Sequence, residues 1–498
     1  MQTNKTIAII GAGPSGLLTA KECLANGLSP KIFEQASGIG GQWNPETGSM
    51  WPSMKTNLSR YTCTFSDFPW PEIPAEFPSQ REVFGYLNNY CDHFSLRDLI
   101  HLNTTVIKAK QLENKWQVTY RENTEEKCEE FDFLVVASGV LSLEHYPNIP
   151  GKENFQGKIS HSLRYRGPET IEGNHVAVIG GSFSGSEIAA DLARGGKMVT
   201  SVLRDPMWML PRYLTDPSLE KKEPIPMDLM VYKRGYRMKL AAAPADIVLQ
   251  KKHEYFRAIS GQEEICPELK VSDFTKPTRI AITDDYLKMI KEGKIAVKKG
   301  DTVSFDSTGI NFADGSHEDV DNIIFATGYL SKFPYFEQET LEKLCYDPKE
   351  QFQPVLLYKC TFHPDIKNLS FVGIYRGTYF GPLELQARWT ARIFSGKVEL
   401  PSREVMMEGI QSERNLKEME ARPQFPHGDY IGLCDSIAEE IDVMPDLKRM
   451  EQEEPELYEK LMNYSFVPAH YRLRGFGEKK DVALKQINEV VALIKGEK

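Results

Sequence analysis

Short apolar runs punctuate the chain at Ile7–Ile10, Lys31–Phe33, Phe133–Ala137, His175–Ile179, Thr200–Leu203 and Asn322–Ala326, and stretches with helical spacing follow several of them. Runs of this length bounded by turn residues read as strands, and strands alternating with helices predict an α/β fold with parallel sheets. Ile7–Ala25 and Val176–Arg194 share one local plan, in which a strand enters a glycine turn and a helix follows. The repeated plan predicts two dinucleotide-binding, Rossmann-like domains. The alternation breaks between Asp216 and Lys276, where Lys, Met, Ala and Pro are frequent and Asp246–Arg257 has helical spacing, so a helical insertion is expected at about 216–276. Near the C-terminus Val482, Leu484, Ile487, Val491 and Ile494 fall on one side of a helix, which is expected to pack against the body. The expected organisation is 1–165 for the N-terminal part of a first domain, 166–329 for an inserted second domain, and 330–498 for the part that completes the first.

At 498 residues the chain exceeds the size of one hydrophobic core, which fits this division. A formal net charge of -10 disfavours nucleic acid and anionic membrane surfaces, and leaves a small molecule as the expected partner. The eight cysteines show no C-x-x-C pair and no zinc-ligand spacing, so reduced structural thiols and no metal are expected. The apolar start is interrupted by Gly11-Ala12-Gly13-Pro14-Ser15-Gly16 and lacks a basic leader, and no run reaches about 18 apolar residues. A cytoplasmic protein without a transmembrane anchor is expected.

Gly11, Gly13 and Gly16 form G-x-G-x-x-G, a spacing that permits a tight turn, close approach of backbone to a pyrophosphate, and close packing of helix on sheet. Such a triplet arises by chance about 0.2 times in a chain of this glycine content, so context decides. Here a strand precedes it, a helix follows, and Glu34 ends the next strand where a ribose hydroxyl needs an acceptor. Directly after the acid come Gly38, Gly40, Gly41, Gln42 and Trp43, a second glycine-dense turn that suits the larger, bent FAD. Trp43 reads equally as a core aromatic. In the second unit Gly180, Gly181, Ser182, Phe183, Ser184 and Gly185 occupy the corresponding turn, with Ser182 in place of a glycine and its hydroxyl available to a phosphate. The position equivalent to Glu34 is Leu203, followed by Arg204. A guanidinium instead of an acceptor favours the 2′-phosphate of NADPH over the hydroxyl of NADH, with Arg212 as a second candidate.

Phe155–Tyr165 reads F-Q-G-K-I-S-H-S-L-R-Y, which resembles the F-x-G-x-x-x-H-x-x-x-Y signature of flavin-containing monooxygenases. Its fixed residues would coincide by chance about 0.0015 times per chain. The resemblance extends through G-G-Q-W at Gly40–Trp43, K-T-N-L-S-R at Lys55–Arg60, F-S-D-F-P at Phe65–Pro69, F-A-T-G-Y at Phe325–Tyr329 and E-L-Q-A-R-W at Glu384–Trp389. It departs at Ser182 and at Ala137-Ser138-Gly139, and the apolar anchoring tail of some animal members is missing.

The resemblance implies an NADPH- and O2-dependent enzyme that transfers one oxygen atom through a C4a-hydroperoxyflavin to a soft nitrogen or sulfur nucleophile of a small molecule. It places Asn57 at the reacting end of the flavin as the catalytic residue, although Asn57 also reads as a turn cap. It assigns cofactor contacts to Gly11, Gly13, Pro14, Ser15, Gly16, Glu34, Gln35, Gly41, Gln42, Trp43, Thr56, Leu58, Val106, Thr327 and Gln386, and to Ser182, Phe183, Ser184, Gly185, Ser186, Glu187 and Arg204. His161 reads more readily as a structural histidine than as a catalyst. The alternative is a Baeyer–Villiger monooxygenase acting on ketones, whose signature typically carries Trp where this chain has Tyr165. A homodimer is one assembly open to the chain.

Overall fold

In the computed structural model, which describes residues 5–215, 223–377 and 380–497, two five-stranded parallel sheets organise the chain. The first runs in the order Leu369–Phe371, Phe133–Val136, Thr6–Ile10, Ser29–Phe33 and Ile100–His101. Its central strands are continuous apolar runs because helices and loops cover both faces, and Ile7, Ala8 and Ile9 are fully buried. The strand from residues 369–371 closes it, so sequence from both ends of the chain builds one unit. The second sheet runs Ile295–Lys299, Met198–Leu203, His175–Ile179, Asn322–Phe325 and Lys158–His161. Pairing of His161 with Phe325 puts the signature segment inside the second unit, upstream of the boundary expected at 166.

That pairing accounts for the signature residues. Phe155 is buried among Ala177, Ile179 and Phe325, and a Cβ on Gly157 would lie 2.3 Å from the Asp321 carbonyl oxygen. His161 is fully buried, and its Nδ1 accepts from the Leu163 N–H at 3.1 Å. Burial pushes its pKa down, so the ring is neutral and structural. Tyr165 donates to Asp191 Oδ2 at 2.7 Å and packs edge-on against Trp51. Asp191 Oδ1 also accepts from Ser53 at 2.7 Å, so this carboxylate joins the helix Phe183–Arg194 of the second unit to a loop of the first.

The expected insertion is helical where it is described, with Met227–Val231, Arg234–Ala241, Ala245–Ser260 and Gln262–Ile265; its residues 216–222 lie outside the described residues. The C-terminal helix Lys480–Lys495 buries Ala483, Ile487, Val490, Val491 and Ile494 in a cluster with Leu229, Leu461 and Val467, so its apolar side packs on the body. Beneath the first unit Arg472 Nη2 meets Glu384 at 2.7 Å, Asp67 at 3.2 Å and Glu22 at 3.4 Å, all with nearly inaccessible side chains. Charges this deep are tolerated only because they are paired. No helix among the described residues is long and apolar enough to cross a membrane.

Candidate functional site

Both glycine turns open on one cavity of about 2430 Å³, more than twice the upper range for a pocket that holds a single drug-sized ligand. The turns are built alike. Gly11 has φ +108°, and a Cβ there would lie 2.6 Å from the Ala137 carbonyl oxygen; Gly180 has φ +121°, and its Cβ would lie 2.3 Å from the Ala326 carbonyl oxygen. A Cβ on Gly16 would sit 1.9 Å from Gly11 O, and one on Gly185 1.7 Å from Gly180 O. Gly16 and Gly185 therefore serve helix–strand packing and do not line the cavity. Ala137-Ser138-Gly139 and Ala326-Thr327-Gly328 close the two turns in the same way, so the weaker sequence match of the first leaves its geometry intact.

The middle position differs in chemistry more than in shape. Gly13 (φ -76°, ψ -175°) and Ser182 (φ -82°, ψ -165°) have nearly the same backbone, so glycine is not needed there for its dihedrals. The tight position is Gly41 (φ +56°), where a Cβ would fall 3.2 Å from the Gly13 Cα, whereas a Cβ on Gly13 would make only ordinary contact with the Gly41 Cα at 3.7 Å. These glycines form the narrow slot over the N-terminus of Pro14–Ala25, whose first turn carries no acidic residue to oppose a phosphate. At Ser182 the space is open enough for a side chain, and its Oγ accepts from Gln424 Nε2 at 3.3 Å.

Glu34 is buried at the end of its strand, with Oε2 accepting from Ala12 N–H at 2.7 Å and Oε1 from Ala36 N–H at 2.9 Å. Burial raises its pKa against the pull of those amides, and each oxygen keeps a lone pair for a ribose hydroxyl. Pro14, Ser15, Gln35, Gln42, Trp43, Val106 and Leu58 line the same stretch. Gln386 does not. It is fully buried, accepts from Gly373 N–H at 3.0 Å and donates to Cys360 O at 3.0 Å, so it positions Gly373 beside Ser15. Ser186 is likewise internal, its hydroxyl donating to Ser182 O at 3.1 Å.

Phe183, Ser184, Glu187, Arg204 and Thr327 line the second stretch. Arg204 is exposed at the rim beside Arg279, which the parallel pairing of Trp208–Leu210 with Ile280–Ile282 brings there. Burial holds the Arg279 pKa down, Asp205 raises it, and Arg204 lowers it further. The expectation for Arg212 is corrected: its side chain is only 3% exposed and is consumed by other partners, so no 2′-phosphate reaches it. It bonds Glu187 Oε2 and Asp284 Oδ2, each at 3.0 Å, Thr56 O at 3.0 Å and Asn57 Oδ1 at 3.3 Å. The guanidinium thus ties a helix of the second unit to the loop of the first that carries Asn57. Accepting through Oδ1 orients the Asn57 carboxamide, and Thr56 Oγ1, donating to Leu58 O at 2.7 Å, tightens the same turn.

Asp228 was not anticipated. It lies in the insertion at the cavity wall, and its Oδ2 accepts from Ser59 N–H at 3.0 Å, Ser59 Oγ at 2.8 Å and Thr62 Oγ1 at 2.6 Å. Burial raises its pKa against those bonds. Nothing in the local sequence marks it, because its partners lie far upstream.

Both glycine turns thus open on a cavity that Glu34, Asn57, Arg204 and Arg279 also line. A family model described as flavin-binding monooxygenase-like matches residues 4–492. The chain belongs to the flavin-binding monooxygenase-like family. As a member it is an oxidoreductase, a flavin-binding monooxygenase. Its relatives include flavin-containing monooxygenase 5 of Cavia porcellus, 32% identical with 96% of this chain and 90% of that protein covered. The N-oxide-forming dimethylaniline monooxygenase 2 of Oryctolagus cuniculus is 33% identical, with 95% and 89% covered. Among solved structures, the S-allyl-L-cysteine S-oxygenase of Allium sativum superimposes with a TM-score of 0.65 at 24% identity over 99% of each chain. Cyclohexanone monooxygenase in its open form gives 0.65 at 18% identity, covering 88% of this chain and 98% of that one. At these identities the structural likeness speaks for the fold.

Proposed function

We propose that this family member uses NADPH and O2 to oxygenate a nitrogen or sulfur nucleophile of a small molecule, with Asn57 at the reacting centre. The observation that carries the reading is the position of Asn57 between the two cradles, on a loop held by Arg212 from the second unit. In this reading the Gly13–Gly41 slot and Glu34 hold FAD, while the Ser182 turn, Arg204 and Arg279 hold NADPH, the arginines gripping its 2′-phosphate. When bound, the flavin supplies the oxygen-activating chemistry. The protein's own task is to orient, exclude water and donate hydrogen bonds, and the described residues of the site accordingly show no nucleophile–base pair. Leu58, Met227, Val231 and Ile431 give the cavity beside Asn57 an apolar wall. A dry wall favours a neutral lone pair as the oxygen acceptor. The names of the relatives agree, one N-oxide-forming and one structural neighbour an S-oxygenase.

Tyr165 does not line the cavity and is bonded to Asp191, so it does not by itself select heteroatoms over ketones. The choice rests on product analysis. With NADPH and air, thioethers and tertiary amines are expected to give sulfoxides and N-oxides, and cyclic ketones little ester. Faster ester formation would overturn the reading. The proposed division is a first unit from both chain ends and a second inserted unit that begins before Lys158, earlier than the expected 166, and runs through Phe325.

A further inference from the structure

Away from the cradles, Cys360, Glu413 and His427 converge from separate elements. Cys360 lies in the turn Tyr358–Phe362, Glu413 on the helix Arg403–Lys417, and His427 in the loop before the helix Tyr430–Glu440. One donor atom from each lies within 4.8 Å of the others. All are largely withdrawn from solvent, with Cys360 at 4% and the His427 and Glu413 side chains at 8% and 17%. His427 Nε2 and Glu413 Oε2 are already 2.8 Å apart.

We propose that these residues form a binding site for a borderline-soft divalent transition metal, represented by Zn²⁺. A thiolate, an imidazole and a carboxylate are a zinc-type donor set, and the thiolate disfavours Mg²⁺ and Ca²⁺. Zinc–ligand bonds of about 2.0–2.3 Å place tetrahedral donors roughly 3.4 Å apart, so rotamer adjustments of about an ångström close the site. The supporting bonds of a metal site are present as well. Gln353 Nε2 donates to Glu413 Oε2 at 2.6 Å, and Gln386 Nε2 donates to the Cys360 carbonyl at 3.0 Å. Metal entry displaces the thiol proton, and the His427 ring proton moves from Nε2 to Nδ1 so that the neutral ring binds through Nε2 and gives up the contact from the Arg376 N–H at 3.4 Å. The donors are dispersed along the chain, which is why no ligand spacing shows in the sequence.

The ion would also act at a distance. From His427 the chain runs back through Phe425, whose ring packs 5.8 Å from that of Phe183, to Gln424. Gln424 exchanges hydrogen bonds with the Ile280 backbone at 2.8 and 2.9 Å and reaches Ser182 Oγ. Metal at one end of this strap therefore steadies the second glycine turn at the other.

The test is equilibrium dialysis of the FAD-loaded chain against Zn²⁺, followed by elemental analysis of retained zinc. The expected result is about one zinc ion per chain, with affinity at least tenfold weaker in Cys360→Ala, His427→Ala and Glu413→Gln and flavin content unchanged. Should one variant fail to fold, the others decide. Zinc is further expected to change the KM for NADPH severalfold in the wild type and not in Cys360→Ala, an arm that rests on the proposed NADPH site. Zinc retention by the wild type no greater than by the folded ligand variants would overturn the proposal, independently of any activity.

Discussion

Replacing Arg212 by Ala removes the residue that locks Asn57 between the two units. Five partners are lost together: the carboxylates of Glu187 and Asp284, the Lys55 and Thr56 carbonyls and the Asn57 carboxamide. Breaking a buried ion pair from one side costs about 3–5 kcal/mol. Here the Asp284 side chain is 41% exposed and rehydrates, while Glu187, at 18%, does so only in part. The discounted expectation is about 2–3 kcal/mol, read as a shift of the denaturant midpoint at constant m-value. Arg212→Lys keeps a charge but cannot reach the fork of partners, so it should recover part of the stability and little of the geometry. The functional assay is product formed per NADPH oxidised. Both variants should stay yellow, because no FAD-cradle residue is touched, yet lose product yield as Asn57 loses its orientation. A folded Arg212→Ala with wild-type stability and wild-type yield would refute the argument.

Arg204→Ala and Arg279→Ala should each weaken NADPH roughly tenfold or more and NADH little, since only NADPH loses a charge-assisted bond of about 1.5–3 kcal/mol; equal losses for both cofactors would move the 2′-phosphate elsewhere. Gly16→Ala should fail to bind FAD or to fold, because its Cβ meets the Gly11 carbonyl at 1.9 Å, and a yellow, stable variant would show the turn to be softer than described. Tyr165→Phe should cost about 1 kcal/mol through the lost Asp191 bond and leave the ratio of sulfoxide to ester unchanged; a shifted ratio would return the residue to a role in selectivity. Asp228 carries a raised folded pKa, so its stabilising contribution is complete below the unfolded carboxyl value of about 4 and is lost as pH rises through the folded value. Melting temperature measured against pH should therefore decline over that window in the wild type and less in Asp228→Asn, and parallel profiles would contradict this.

The sheets and glycine turns were legible in the sequence because period, punctuation and glycine spacing are local properties. Ser182 was legible as a departure, but its consequence was not: only the structure shows that the backbone needs no glycine there and that the tight position of the slot is Gly41, facing Gly13. Arg212 misled because a buried guanidinium and a solvent-facing one look the same in a string of letters. Its burial is decided by Asp284, Glu187 and the backbone of residues 55–57, all remote in sequence. Gln386 and Ser186 lie behind the cavity lining, and a residue that holds the lining and a residue that forms it share the same motif. The arginine pair at the rim was half visible, because Arg279 arrives through strand pairing that no local pattern announces.

The most direct measurement of the central claim is product analysis with isotopically labelled O2, run on the yellow protein and on Asn57→Ala with NADPH and a thioether. The proposed site predicts sulfoxide carrying one labelled oxygen from the wild type, and from Asn57→Ala retained FAD with a product yield per NADPH at least tenfold lower. Equal yields from the two proteins, or ester from a cyclic ketone formed faster than any sulfoxide or N-oxide, would contradict it.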